Sequence, residues 1–202
     1  ISNTYGVEVL YHPCDLADHL CREVLYEAFK ERKAVFRWLI NVAGLDYEGD
    51  FACKTSLQIR TMLRLNIEAV LEITHTVMEL TDRDHPLKVI NVCSLAAYFP
   101  MPVKAVYSAS KRFLLDFSMS LGEELRHTGG TVTALCPAGM PTTESTIRAI
   151  DAQGFMGRAT TKNVGYVAAK TIDRALKGCA VYIPGTLNRL LGVLGRVVPP
   201  SL

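Results

Sequence analysis

Short apolar runs alternate along this chain with longer stretches whose apolar residues recur every three or four positions. Residues 7–12 form a short apolar run that stops at Pro13-Cys14-Asp15, which predicts a strand. Asp15 or Asp18 can cap the helix that follows over about 20–32, with Leu20, Val24, Ala28 and Phe29 on one face. Residues 35–42 (VFRWLINV) are nearly all apolar and end at Ala43-Gly44, the pattern of a buried parallel strand running into a turn. A long helical pattern then runs from 56 to about 80 through Leu57, Met62, Leu65, Ala69, Ile73, Val77 and Leu80. Further strands are predicted over 88–92, 131–136 and 180–183. A second long helix is predicted over 107–125, with Phe113, Leu114, Phe117, Leu121 and Leu125 as its stripe, and another around 164–176. Strands joined by helical crossovers predict an α/β fold, a doubly wound parallel sheet with helices on both faces. Ligands in such sheets bind beyond the carboxyl ends of the strands, which singles out Asp15, Asn41 to Gly44, Ser94 and Pro137 to Thr142. No repeat, low-complexity tract or linker divides the chain.

Composition adds mainly exclusions. Of 202 residues, 49% are hydrophobic and 21% charged, the balance of a packed domain and not of a disordered one. A net charge of +2, from 22 basic and 20 acidic residues, gives no reason to expect a nucleic-acid partner. No apolar run reaches the ~20 residues that cross a bilayer, and the first ten residues lack the basic flank and apolar core of a signal peptide. The apolar tail 187–198 is expected to be a terminal packing helix, the alternative being a surface contact to membrane. Cys14, Cys21, Cys53, Cys93, Cys136 and Cys179 form no CxxC pair and read as small apolar residues in a reducing, cytoplasmic compartment. The histidines lack ligand spacing, and no metal is expected.

The candidate chemistry follows the 88–92 strand. A tyrosine followed four residues later by a lysine puts both on one helical face, and an ammonium beside a phenol favours the phenolate. The spacing occurs in Tyr26/Lys30, Tyr107/Lys111 and Tyr166/Lys170, so spacing alone selects nothing. Only Tyr107 opens a helix after a strand, turn and loop, and only Tyr107 has a hydroxyl, Ser94, thirteen residues upstream at a strand end. The equivalent positions for the other two pairs are Pro13 and Gln153. Taken alone, Asp15 reads as a plain helix cap, Asn66 as a polar mid-helix residue and Ser94 as a strand-end serine.

The run NVCSLAAYFPMPVKAVYSASKRFLLDFSMSLGEEL resembles the active-site segment of short-chain dehydrogenases/reductases of the classical type. Asn41-Val42-Ala43-Gly44 is similar to that family's Asn-Asn-Ala-Gly turn, and Cys14-Asp15-Leu16 to its Asp-Leu motif. Asn66 matches the helix asparagine of its catalytic tetrad, and Pro137 to Thr142 resembles its Pro-Gly segment, with Ala138 where Gly is usual. The tail VYIPGTLNRLLGVLGRVVP resembles a bacterial subgroup of broad, uncharacterised reductases. The resemblance implies a Rossmann-like fold and an NAD(P)-dependent oxidoreductase that interconverts a carbonyl and a secondary alcohol by hydride transfer. It assigns Tyr107 as general acid/base, Lys111 to lower the Tyr107 pKa and hold the nicotinamide ribose, Ser94 to polarise the substrate oxygen, and Asn66 to anchor a proton-relay water. Asp15 would meet adenine. Asn41, Ala43 and Gly44 would line the ribose and phosphate side, and Tyr107 and Lys111 would also contact the cofactor. Pro137, Ala138, Gly139 and Thr142 would meet the nicotinamide. NADP is the cofactor expected, with NAD as the alternative.

Against the family pattern, the 202 residues lack the first strand, the Gly-rich turn, the first helix and the second strand, and Gly129-Gly130 precedes a strand and cannot stand in for the turn. Residues 1–202 are therefore expected to be a single, partial NAD(P)-binding domain, and the chain's start at Ile1 suggests a fragment or processed chain. The 35–42 strand should have one side unpaired or pair with 7–12. A piece of a conventional reductase is the preferred reading, because the missing part is contiguous and the remaining site residues are intact. The alternative is a catalytically silent relative acting as an interaction or regulatory module. The substrate is expected to be a small, apolar carbonyl or alcohol, from Leu95, Tyr98, Phe99, Phe155 and Met156, and a homo-oligomer is expected through the 56–80 and 107–125 helices.

Overall fold

A computed structural model describes residues 1–82 and 84–197. Its four strands are β1 (Trp38–Asn41), β2 (Lys88–Val92), β3 (Thr131–Leu135) and β4 (Val181–Tyr182), all parallel and in the spatial order β1-β2-β3-β4. The helices are α1 (Ser2–Tyr5), α2 (His19–Glu31), α3 (Ser56–Leu63), α4 (Ala69–Glu79), α5 (Ala105–Leu125), α6 (Glu144–Ala152), α7 (Gly154–Thr160), α8 (Val164–Leu176) and α9 (Thr186–Val197). The fold is the expected α/β arrangement. Val89, Cys93, Val132, Ala134 and Cys136 face α4 and α5, where Val70, Val77, Leu114, Leu115 and Leu121 are buried. Leu135 and Tyr182 point the other way, onto Val167 of α8. This two-residue alternation places helices on both faces of the sheet.

Several expectations change in detail. Residues 7–12 form no strand, and Val7, Val9, Leu10 and Tyr11 are all exposed. An extended run gains ladder hydrogen bonds only beside another strand, and this one lies outside the sheet. The 35–42 run narrows to β1, which among the described residues pairs with β2 alone. Helix α4 covers one face of β1, while Ile40 on the other remains 48% exposed. Helix α2 begins at the Asp18 cap but presents a different face from the one its apolar residues suggest: Leu20 and Val24 are exposed, and Arg22 and Leu25 are buried. Arg22 turns inward because it donates to Glu72 at 2.8 Å, to Glu68, and to the Leu16 carbonyl at 2.7 Å. Burial alone lowers its pKa; the two carboxylates reverse this and hold the guanidinium above its ordinary value.

The 56–80 helix forms, with Thr55 and Gln58 in a capping box, but a π turn over Arg64–Glu68 interrupts it. Helix α5 starts two residues before the expected 107–125 span, and its Phe113 lies exposed beside Phe117. The tail becomes α9, and residue 198 lies outside the described residues. Helix α9 packs on the 3₁₀ turn Leu95–Tyr98, where a Cβ on Gly195 would sit 2.7 Å from the Tyr98 carbonyl oxygen. Among the described residues no helix is long and apolar enough to cross a membrane.

Candidate active site

The ends of β1, β2 and β3 bring Asn41 to Gly44, Ser94 and Pro137 to the carboxyl side of the sheet. Ser94 follows β2 and caps the Leu95–Tyr98 turn, its hydroxyl accepting from the Ala96 N–H at 3.1 Å. The Leu95 N–H donates to the Pro137 carbonyl at 2.8 Å, which fixes this turn to the end of β3. Tyr107 lies in the first turn of α5, with Lys111 one turn further on. Lys111 is only 4% exposed; its Nζ donates to the Val92 carbonyl at 2.9 Å and lies 5.8 Å from the Tyr107 ring centroid. Burial holds the Lys111 ammonium below its ordinary pKa.

Burial separates the three tyrosine–lysine pairs. Lys30 is exposed and bonds Glu27, and Tyr166 and Lys170 are both exposed. Only Lys111 is sequestered with its tyrosine. The Tyr107 phenol is itself pushed up by burial; the Ser94 hydroxyl draws it back down, Asp46 adds to the rise, and Lys104 opposes it. Burial thus leaves the phenol above its ordinary pKa, and the cation that opposes the rise is Lys104. Its Nζ is 5.9 Å from the ring centroid and bonds Asp46 at 2.6 Å and Glu48 at 2.7 Å. Nothing in the spacing pointed to Lys104 or Asp46, because the loop after β1 and the loop before α5 meet only in the fold.

Asn66 sits inside the π turn and is fully buried. Its Oδ1 accepts from the Leu45 N–H at 2.8 Å, and its Nδ2 donates to the Leu45 carbonyl at 2.9 Å and to Ser110 Oγ at 3.1 Å. Ser110 in turn donates to the Tyr107 carbonyl at 2.7 Å. Asn66 therefore ties the loop after β1 to the first turn of α5. Gly44 closes the group: a Cβ there would lie 3.1 Å from Lys111 Nζ and 3.5 Å from Asn66 Oδ1.

Asn41 points elsewhere. Its Nδ2 donates to Asn91 Oδ1 at 2.8 Å and to Thr74 Oγ1 at 3.3 Å, and Asn91 donates to Ser118 Oγ at 2.9 Å. This buried polar ladder joins β1, β2, α4 and α5, so the Asn41 amide braces the sheet. Asn91 and Ser118 carry no local sequence signal beyond being polar at core-facing positions. Asp15 is exposed and accepts from the Ala17 N–H at 2.9 Å, a local turn, while Asp18 caps α2. Ala43 and Gly139 are exposed and Ala138 is half-buried. Thr142 is exposed, with its N–H on the Met140 carbonyl at 2.8 Å.

A half-buried phenol and a buried ammonium on α5, beside a hydroxyl at a strand end, can deliver or accept one proton at a bound oxygen. The chain is 27% identical over 168 residues to the ketoacyl reductase HetN of Nostoc sp., covering 81% of this chain and 58% of that protein. It is 35% identical over 125 residues to sulfoacetaldehyde reductase 2 of Chromohalobacter salexigens, covering 61% and 48% respectively. The chain thus spans about half the length of the curated relatives it matches. Among solved structures it is similar to a short-chain dehydrogenase from Sphingobium yanoikuyae in complex with NADPH, with a TM-score of 0.79 and 22% identity over 100% of this chain and 80% of that one. A 7beta-hydroxysteroid dehydrogenase gives a TM-score of 0.80 at 21% identity, over 97% of this chain and 75% of that one. At such identities these two establish the fold. Residues 1–153 also match the family model described as short chain dehydrogenase, a span that contains the Tyr107–Lys111 pair, and on that match the chain belongs to the short-chain dehydrogenase family.

Proposed function

We propose that the complete protein is an NAD(P)-dependent oxidoreductase that interconverts a carbonyl and a secondary alcohol on a small, apolar substrate. The observation that carries this reading is Lys111: a 4% exposed ammonium with a single backbone acceptor, one helical turn from Tyr107. An ammonium has three donors, and a protein does not bury one so sparsely bonded without a use. The residues present fit the nicotinamide–ribose half of the cofactor. Lys111 has donors to spare for ribose hydroxyls, and Gly44, without a Cβ, leaves open the space in front of Lys111 and Asn66. When bound, the cofactor supplies the hydride. NADP is favoured over NAD on the resemblance of the tail alone.

The chain's own residues supply the proton and the positioning. Tyr107 donates its proton to the carbonyl oxygen as that oxygen gains alkoxide character, a step worth about 10²–10⁴-fold. Its raised pKa keeps the phenol protonated at neutral pH, the form needed for reduction. Ser94 donates to the same oxygen and orients it. Lys111 stabilises the phenolate left behind. The Asn66 amide is committed to Leu45 and Ser110, so a relay water at Asn66 falls to its backbone carbonyl. Pro137, Ala138, Gly139 and Thr142 are assigned to the nicotinamide side and Asp15 to adenine. The protein is taken to be cytoplasmic and homo-oligomeric. The test is to incubate the complete protein with NADPH and a panel of apolar ketones and aldehydes. Consumption of NADPH with formation of a secondary alcohol or primary alcohol is expected. Neither cofactor binding nor turnover across the panel would overturn the proposal.

A further inference from the structure

A cavity of about 360 Å³ lies between α8, α9 and the edge strand β4; Ser94, Tyr107 and Lys111 do not line it, and of the residues expected to meet substrate only Tyr98 does. Three arginines converge on it: Arg174 from α8, and Arg189 and Arg196 from α9. No Asp or Glu lines the cavity. Among the described residues, none of the three arginines has a carboxylate within ion-pair distance. Their hydrogen-bond and ring partners are neutral, although the adjacent Asp173 carboxylate on α8 feels the Arg174 charge. The Arg196 guanidinium lies 5.0 Å over the Tyr98 ring and donates to its hydroxyl at 3.3 Å. Arg189 Nε donates to the Ile183 carbonyl at 3.2 Å. Arg174 lies 6.0 Å from the Tyr182 ring, and its Nε is buried with no hydrogen-bond partner.

Three guanidiniums around one cavity repel one another, and a buried N–H without an acceptor is costly to leave so. An anion inside the cavity relieves both. Arg22, Arg112, Arg126 and Arg148 hold carboxylates, while several arginines elsewhere in the chain, like these three, do not. What marks these three is that they share one cavity whose lining holds no carboxylate. Guanidinium forks match the planar edge of a carboxylate or the oxygens of a phosphate, and three cations suit a dianion better than a monoanion. The space exceeds that of a lone oxyanion and falls at the small end of the range for ligand sites. Val181, Ile183 and Val193 add an apolar wall beside the two tyrosine rings.

We infer that this cavity is a binding site for a phosphate monoester with a compact apolar body, its phosphoryl group held by Arg174, Arg189 and Arg196. The site is separate from the proton-transfer machinery and does not depend on the oxidoreductase reading.

The experiment titrates the complete protein calorimetrically with phenyl phosphate, inorganic phosphate and phenol, alongside Arg174→Gln, Arg189→Gln and Arg196→Gln. Saturable binding of phenyl phosphate, weakened roughly 10-fold or more by each substitution, is expected. Stronger binding of phenyl phosphate than of inorganic phosphate assigns the ester; equal binding assigns free phosphate and overturns the apolar part of the inference. Phenol should show no binding. Arg189 and Arg196 are exposed, so Arg189→Gln and Arg196→Gln remain readable variants if a change at the half-buried Arg174 disturbs folding, which circular dichroism reports. Absence of binding, or binding indifferent to the arginines, overturns the site. The exposed Leu190, Val193 and Leu194 make α9 resemble an interfacial helix as well. Arginine-dependent binding to phosphatidylglycerol vesicles without binding of phenyl phosphate also overturns it.

Discussion

Replacing Lys111 with Met should separate function from stability. The side chain is 4% exposed, has one hydrogen bond, to the Val92 carbonyl, and among the described residues has no carboxylate partner. Replacing a buried ion with an apolar side chain of similar volume ranges from neutral to stabilising by about 1–4 kcal/mol. Loss of the Val92 bond costs about 1 kcal/mol. The net expectation is a gain of about 0–3 kcal/mol, and for a chain of this size each kcal/mol raises Tm by about 3 °C. The sign of the pH dependence follows from the lowered pKa. Between the folded and unfolded lysine values the unfolded chain binds more protons, so parent stability rises with pH through that window. The variant lacks the titrating group and should lose this rise. Thermal melts of parent and Lys111→Met from neutral to alkaline pH provide the assay. A variant that melts several degrees below the parent at neutral pH would show that Lys111 is held for structure and would refute the reasoning.

Other consequences concern neighbouring groups. Lys104→Met leaves Asp46 facing Tyr107 without its cation and should raise the phenol pKa, whereas Asp46→Asn should lower it; ultraviolet difference titration against Tyr107→Phe reads both directions. At an effective dielectric near 20 and about 6 Å, one charge is worth roughly 2–3 kcal/mol, up to about two pH units. Arg22→Ala leaves Glu68 and Glu72 without their shared cation at a fully buried position and should cost about 2–4 kcal/mol in urea unfolding. Asn91→Ala strands the Asn41 amide and should cost about 1–3 kcal/mol, with a double-mutant cycle against Asn41→Ala showing clear coupling.

The order of elements was legible in the sequence because period-2 and period-3.6 patterns are local. The long helices, the 88–92 strand and the 164–176 helix appear where their periodicity places them. The inward face of α2 was not legible: a buried arginine is polar by pattern, and its partners Glu68 and Glu72 lie about fifty residues away. Residues 7–12 read as a strand because composition reports willingness to extend, while a strand also needs a neighbour. At the candidate site, Ser94, Tyr107 and Lys111 were singled out through order and context. Lys104, Asp46, Ser110 and Asn91 were not, since each acts through contacts made only when β1, α4 and α5 assemble. Asn41 was assigned to a cofactor from its motif, and the bracing of the strands by its amide was not legible there.

The most direct measurement of the central proposal is the turnover rate of the complete protein carrying Tyr107→Phe, with NADPH and a ketone the parent reduces. The substitution removes a single hydroxyl from a half-buried ring, so the fold and the melting curve should change little. A fall of about 10²-fold or more at unchanged cofactor affinity is expected. Turnover at the parent rate would mean that the proton comes from another group, and the role given to Tyr107, Lys111 and Ser94 would be wrong.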